Sequence, residues 1–197
     1  TSKLRFLLPV VPLVAIVLLI PSFGQAAQPP VGLGTTSNFA VLAGSTITNT
    51  GPTTIGGTAG GDVGLSPGTA FTGSASVTMS GVQHLADTVA VDAKTALVAA
   101  YNDAAGRTPV TSVATELGGT TLTPGVYGNP TLGLTGTLTL DAQGDPNAVF
   151  IFQSASTLIT ASSSSVNMIN GTQACNVFWQ VGSSATFGTS TSFVGHV

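Results

Sequence analysis

The stretch from Leu138 to Val194 is written twice. Val149-Phe150-Ile151-Phe152 aligns with Val177-Phe178-Trp179-Gln180 at an offset of 28 residues, and Leu138 and Leu140 fall on Val166 and Met168 at the same offset. Each copy holds three short apolar runs, in the first Leu138 to Leu140, Val149 to Phe152 and Thr157 to Ile159. Turn formers such as Asp141-Ala142-Gln143-Gly144-Asp145-Pro146-Asn147 separate them. A repeat of this length is one supersecondary unit that cannot bury its apolar side alone and must stack on its neighbours. Three strands and three corners per unit predict a mainly β chain, a β-solenoid of irregular three-sided coils. The third run fits better at 29, Thr157-Leu158 on Thr186-Phe187, so one corner is expected to carry an extra residue.

The pattern extends beyond the duplicated part. Asn38 to Ala43 and Ser45 to Asn49 read as two β-runs of a first coil, and looser runs around Val63, Leu65, Phe71 and Val77 continue it between glycines and prolines. Thr120 to Thr123 and Val126-Tyr127 resume it later. Between them lies a different sequence. Leu85, Val89, Ala93, Ala96, Leu97 and Ala100 recur at spacings of three and four, which predicts one amphipathic helix over about 82–105, ending before Gly106. Asp87, Asp92, Lys94 and Asp103 supply its wet side. Its natural partner is the face built from Val149 to Phe152 and Val177 to Trp179. Apolar residues follow one another there without alternation, so the strands need cover on both sides.

The first 27 residues stand apart. Lys3 and Arg5 precede an uncharged run, Phe6 to Ile20, followed by Pro21-Ser22-Phe23-Gly24-Gln25-Ala26-Ala27, the layout of a secretory signal peptide. A helix of that run reaches about 22 Å, short of the ~30 Å hydrocarbon core, so no stable membrane span is expected after cleavage near Ala26 or Ala27. The expected domain is then 28–197, a secreted, extracellular β-solenoid. With Lys3 and Arg5 removed, only Lys94 and Arg107 stand against seven acids, which excludes nucleic acid as a partner. At 43% hydrophobic and 6% charged, the chain has the reverse of the composition of disorder.

Chemistry is thinly represented. Away from the helix the domain offers Asp62, Glu116, Asp141, Asp145, Arg107, His84 at the expected helix start, and His196. The close pair Asp141 and Asp145 reads as a turn, with Asp and Asn bonding their own backbone and Pro146 fixing φ. Gly56-Gly57 and Gly60-Gly61-Asp62 match a calcium-binding glycine-aspartate repeat only once and at the wrong spacing. The single cysteine, Cys175, excludes an intramolecular disulfide and is expected to be a small buried residue. Asn170-Gly171-Thr172 is a formal glycosylation acceptor. These residues predict no enzyme, no metal site, no cofactor and no small-molecule substrate.

Several stretches resemble one family closely: Asn38 to Thr46, Gly61 to Thr69, Tyr101 to Arg107, Leu138 to Phe152 and Ala174 to Thr186. The chain is similar to the secreted microbial ice-binding (antifreeze) proteins, whose fold is a discontinuous right-handed β-solenoid flanked by a long α-helix, and the match spans about residues 33 to 196. The resemblance implies a helix lying along the solenoid and a first coil that packs beside the last ones rather than beside the second. It also implies an ice crystal surface as partner, no cofactor, and growth or recrystallisation inhibition as the activity, and the chain is expected to be a monomer. The alternative within the family is an adhesin module without ice affinity. Members usually carry more solenoid beyond the position of Val197, so this chain is expected to be truncated at that end.

Stacked strands repeat every ~4.7 to 4.9 Å, so outward side chains form ranks. Thr157 and Thr186, taken as equivalent one coil apart beside inward Leu158 and Phe187, are the first candidates for an ice-binding face. The alternate positions Ile159 and Gly188 belong to it, and Thr69 and Thr72 extend it into the early coils. Spacing alone does not separate such ranks from ordinary β-favouring surface residues. The family resemblance is what points them at ice.

Overall fold

The structure, a computed structural model, describes residues 27–56 and 60–197. The signal peptide expected over 1–27 lies outside these residues apart from Ala27. The chain begins with three strands joined by corners, β1 (Phe39–Ala43), β2 (Thr46–Thr48) and β3 (Thr53–Ile55). A second circuit follows, β4 (Asp62–Leu65), β5 (Ala70–Thr72) and β6 (Val77–Met79), and then β7 (Gln83–Leu85) and helix α1 (Thr88–Gly106). After the helix come β8 (Val110–Ser112), β9 (Thr121–Leu122), β10 (Gly125–Asn129), β11 (Leu132–Leu134) and β12 (Thr137–Asp141). The duplicated part supplies β13 (Phe150–Ser154), β14 (Thr157–Thr160), β15 (Ser165–Ile169), β16 (Val177–Val181) and β17 (Ser184–Thr186).

Successive strands go to successive faces, and like strands pair in parallel. In the first half the sheets are β1-β4-β7, β2-β5 and β3-β6; in the second they are β16-β13-β10-β8, β11-β14-β17 and β15-β12-β9. This is the three-sided solenoid expected. The first coil, however, stacks directly on the second through all three of its strands, contrary to the expectation that it would not. Its partners are fixed by close packing: a Cβ at the buried Gly64 of β4 would stand 2.6 Å from side-chain atoms of both Phe39 and Leu42.

The second half has two apolar layers, as the unbroken run in β13 requires. Phe150 and Phe152 point into the solenoid with Tyr127, Val177 and Trp179. Val149 and Ile151 point out, and with Val126 and Phe178 they meet Ala100 and Ala104 of α1 and Val31 of the lead-in. The register differs from the letter-by-letter alignment. Phe150, not Val149, pairs with Val177, and Phe152 pairs with Trp179, whereas β12 and β15 keep the expected pairing of Leu138 with Val166. The Asp141 to Asn147 corner is thus one residue longer than its counterpart. A slip of one exchanges the two sides of a strand, and the observed register stacks Phe152 on Trp179 with ring centroids 4.0 Å apart.

The helix also departs from its expected bounds. Gln83 to Leu85 join β4 as a strand, so α1 starts at Thr88, where the Asp87 side chain accepts from the Ala90 amide at 2.9 Å as an N-cap. His84 therefore sits in β7, its Nδ1 2.7 Å from Asp87 Oδ2. The buried stripe is Ala90, Ala93, Ala100 and Ala104, with Leu97 half-buried between them and Val89 turned to solvent. Alanines let the helix axis approach the sheet closely, which longer side chains prevent. The helix touches β1 and β7 of the first half and β13 and β16 of the second, so it braces both. Side chains fasten it at both ends. Thr36 donates to Ala93 O at 2.8 Å, Gln153 to Ala104 O at 2.8 Å, and Arg107 to Pro29 O at 2.9 Å.

Candidate functional site

Among the described residues, two sides of the second half lie open, and one of them carries no charge in its strands. The first sheet lies under α1. The third, β15-β12-β9, presents Thr121, Thr139 and Asn167 outward in register, and at its corner end Asp141 accepts from Asn170 at 2.8 Å. The second sheet, β11-β14-β17, has neither a helix over it nor an ionisable residue in its strands. Its inward positions are Leu132, Leu134 and Leu158, all buried. Ser154, the last residue of β13 ahead of the corner to β14, is also buried, bonding Thr157 O and Pro130 O through its hydroxyl.

The outward positions of that sheet are the candidate face. Ile159 of β14 is 54% exposed and stands against Gly133 of β11 on one side and Thr186 of β17 on the other. Thr157 stands against Ser184. The expected equivalence of Thr157 and Thr186 is therefore corrected: β14 and β17 pair so that Leu158 meets Ala185, and Phe187 is 46% exposed rather than packed beside Leu158. The cause is again corner length, which the alignment assigned to the wrong place. Gly188 lies past β17, its amide donating to Thr160 Oγ1 at 3.0 Å, and a Cβ there would meet the backbone of Ala161 at 2.5 Å. It shapes the corner.

Thr69 and Thr72 lie on the first half. Thr72 closes β5, paired with Thr48 of β2, and Ala70 pairs with Thr46. The structure thus brings Thr157, Ile159 and Thr186 onto one sheet and Thr72 onto another, with Thr69 in the corner just before β5. Ser184 and the Thr48–Thr72 pair were missed, although the shared Thr-x-Thr-Asn and Ala-x-Thr-Gly spacing of the first two coils carried a signal. Thr160 shows the converse. It belongs to β14 but is buried, 3.1 Å from the Thr191 hydroxyl.

The groups with conventional chemistry serve structure. Asp141 accepts from the Gln143 amide at 2.8 Å and Asp145 from the Asn147 amide at 2.9 Å, the turn expected. Cys175 is exposed in a short 3-10 turn rather than buried, because the corner preceding β16 carries it away from the core. Among the described residues, no three His, Cys, Asp or Glu side chains are placed to hold a metal, and no helix is long and apolar enough to cross a membrane.

The chain is thus a helix-braced parallel β-solenoid carrying an open face of small hydroxyl and aliphatic side chains. The sequence matches the family described as Ice-binding-like over residues 41–197. An ice-binding protein of Nostoc sp. (strain HG1) is 50% identical over 167 residues, 84% of this chain and 60% of that one; another, from Flavobacterium frigoris (strain PS1), is 33% identical over 85% of this chain and 64% of that one. This chain thus spans somewhat under two thirds of these relatives' length. Among solved structures, an ice-binding protein from an Antarctic biological consortium superposes with a TM-score of 0.83 at 43% identity, covering 95% of this chain and 80% of that one. One from the Antarctic ascomycete Antarctomyces psychrotrophicus gives 0.79 at 38% identity, over 84% and 81%. The chain belongs to the Ice-binding-like family.

Proposed function

We propose that this protein is exported and adsorbs to ice through the outer face of β11-β14-β17, restraining crystal growth. The observation that carries this is the set of outward neighbours Gly133, Ile159 and Thr186, flanked by Thr157 and Ser184, on a sheet that no described element covers. A threonine offers a hydroxyl that bonds water and a methyl that displaces it. Side chains repeated at the ~4.8 Å strand spacing hold waters in ranks, and such ranks merge with a growing ice plane. The family membership and the relatives named as ice-binding proteins support the reading. Thr69, Thr72 and Gly188 have lesser parts in it, the first two as a separate hydroxyl patch and the last as a corner. Export is supported by the ordered lead-in: Gln28 and Pro29 are already tied to Thr108 and Arg107, so a cut near Ala26 or Ala27 leaves the whole clamp in place. The protein acts as a monomer without cofactor.

The test is thermal hysteresis and ice-crystal shape. Ile159→Tyr puts a ring proud of the face with no core strain and abolishes activity in a folded protein. Asp92→Tyr, on the exposed side of α1, leaves it intact. A folded, fully active Ile159→Tyr removes this face as the site, and a folded parent that neither shapes crystals nor shows hysteresis removes ice binding in favour of an adhesin module.

A further inference from the structure

Glu116 lies on the same rank as the proposed ice-contacting side chains. It bridges in parallel to Gly133, Gly133 pairs with Ile159, and Ile159 pairs with Thr186. Its parity is outward, since the next residue, Leu117, is buried in the core. Glu116 is exposed, yet its carboxylate is not free to swing away. Oε1 accepts from the amides of Gly118 at 2.8 Å and Thr135 at 2.6 Å. Oε2 lies over Gly133, where a Cβ would stand 3.4 Å from it. Across β11, β14, β17 and the adjoining 113–120 segment, Glu116 is the one ionisable side chain.

We propose that Glu116 sets the boundary of the ice-contacting face, its fixed charge ending adsorption at Gly133 and holding activity below what the same surface reaches when neutral. This rests on the ice-binding reading above. A carboxylate orients its hydration waters radially and gives them up at a high cost, whereas an ice plane demands waters on lattice positions. Ice that advances along the rank from Thr186 through Ile159 therefore stops where that shell begins. The anchoring by two backbone amides makes this a permanent feature of the surface rather than a passing one.

The charge and the anchor can be separated. Glu116→Gln keeps an acceptor oxygen for both amides and removes the charge; Glu116→Ala removes both. At neutral pH and equal concentration, the expected result is greater hysteresis for Glu116→Gln than for the parent, the variant staying folded with a melting temperature lowered by the lost charge-assisted bonds to the Gly118 and Thr135 amides. Glu116→Ala is less stable. Partial burial by itself raises this carboxyl, but the amides of Thr135, Gly118 and Leu117 outweigh it and hold it below the usual carboxylate range. The parent's hysteresis accordingly rises towards that of Glu116→Gln only in acid below that range, with circular dichroism confirming the fold, while Glu116→Gln stays level. Hysteresis in folded Glu116→Gln equal to or below the parent's overturns the proposal. If Glu116→Gln does not fold, the parent's own acid profile decides, a rise supporting the proposal and a level profile overturning it. An active parent with an unimproved Gln variant defeats only the role of Glu116, whereas a parent inactive at every pH defeats the ice reading itself.

Discussion

Ser154 is fully buried, and its hydroxyl lies 2.9 Å from Thr157 O and 3.3 Å from Pro130 O, at the corner that leads onto the open face. Ser154→Ala leaves both carbonyls without that partner, a loss of about 1–3 kcal/mol, read from chemical denaturation; Ser184→Ala, on exposed surface, changes stability by less than about 0.5 kcal/mol. Thr160 plays a similar part at the next corner, with Thr191 and the Gly188 amide. Residue type alone does not sort these hydroxyls. Thr157, Thr160 and Thr186 are the same amino acid, and only the register decides that Thr160 faces inward while Thr186 faces water.

At the scale of elements, α1 is a brace with an alanine seam. Ala100 is buried against Val126, Val149, Ile151 and Phe178, so Ala100→Asp places an unpaired charge in an apolar seam. The expected cost is on the order of 3–5 kcal/mol and a large drop in melting temperature. Val98, 58% exposed on the opposite side, tolerates the same change within about 0.5 kcal/mol. An equal effect of the two substitutions contradicts the seam. The sequence spacing located this helix and its partner sheet, because a 3.6-residue rhythm and an unalternating strand are local signals. It placed Val89 on the buried side and began the helix too early, because strand pairing by Gln83 to Leu85 and the cap at Asp87 are decided by the neighbouring β4.

At the scale of the whole molecule, three carboxyls distributed along the fold hold pH-linked stability. The Ala90 amide and then His84 lower Asp87, the Arg107 guanidinium lowers Asp103, and Glu116 is lowered by its corner amides against its partial burial. Each has a folded pKa below its unfolded one. Their contribution is therefore complete above the ordinary carboxylate range and is lost as the pH falls through the depressed values. Burial also holds His196 below the ordinary histidine range, so melting temperature is expected to begin falling as the pH drops through that range and to fall further in acid, with Asp103→Asn flattening part of the acid fall. Protection by Asp103 also depends on Arg107, which ties α1 to the lead-in through Pro29, so the acid effect reaches the joint between helix and lead-in. By itself the sequence determined the three-strand repeat, the single covering helix, the two-sided apolar layer at β13 and β16, and the turn at Asp141 to Asn147. Each of these follows from spacing within a few residues of chain. Tertiary structure alone decided which residue meets which across neighbouring coils, because register depends on corner lengths and on ring stacks such as Tyr127, Phe152 and Trp179. It therefore decided which threonines reach the surface, and that a carboxylate from a corner lies across the same rank.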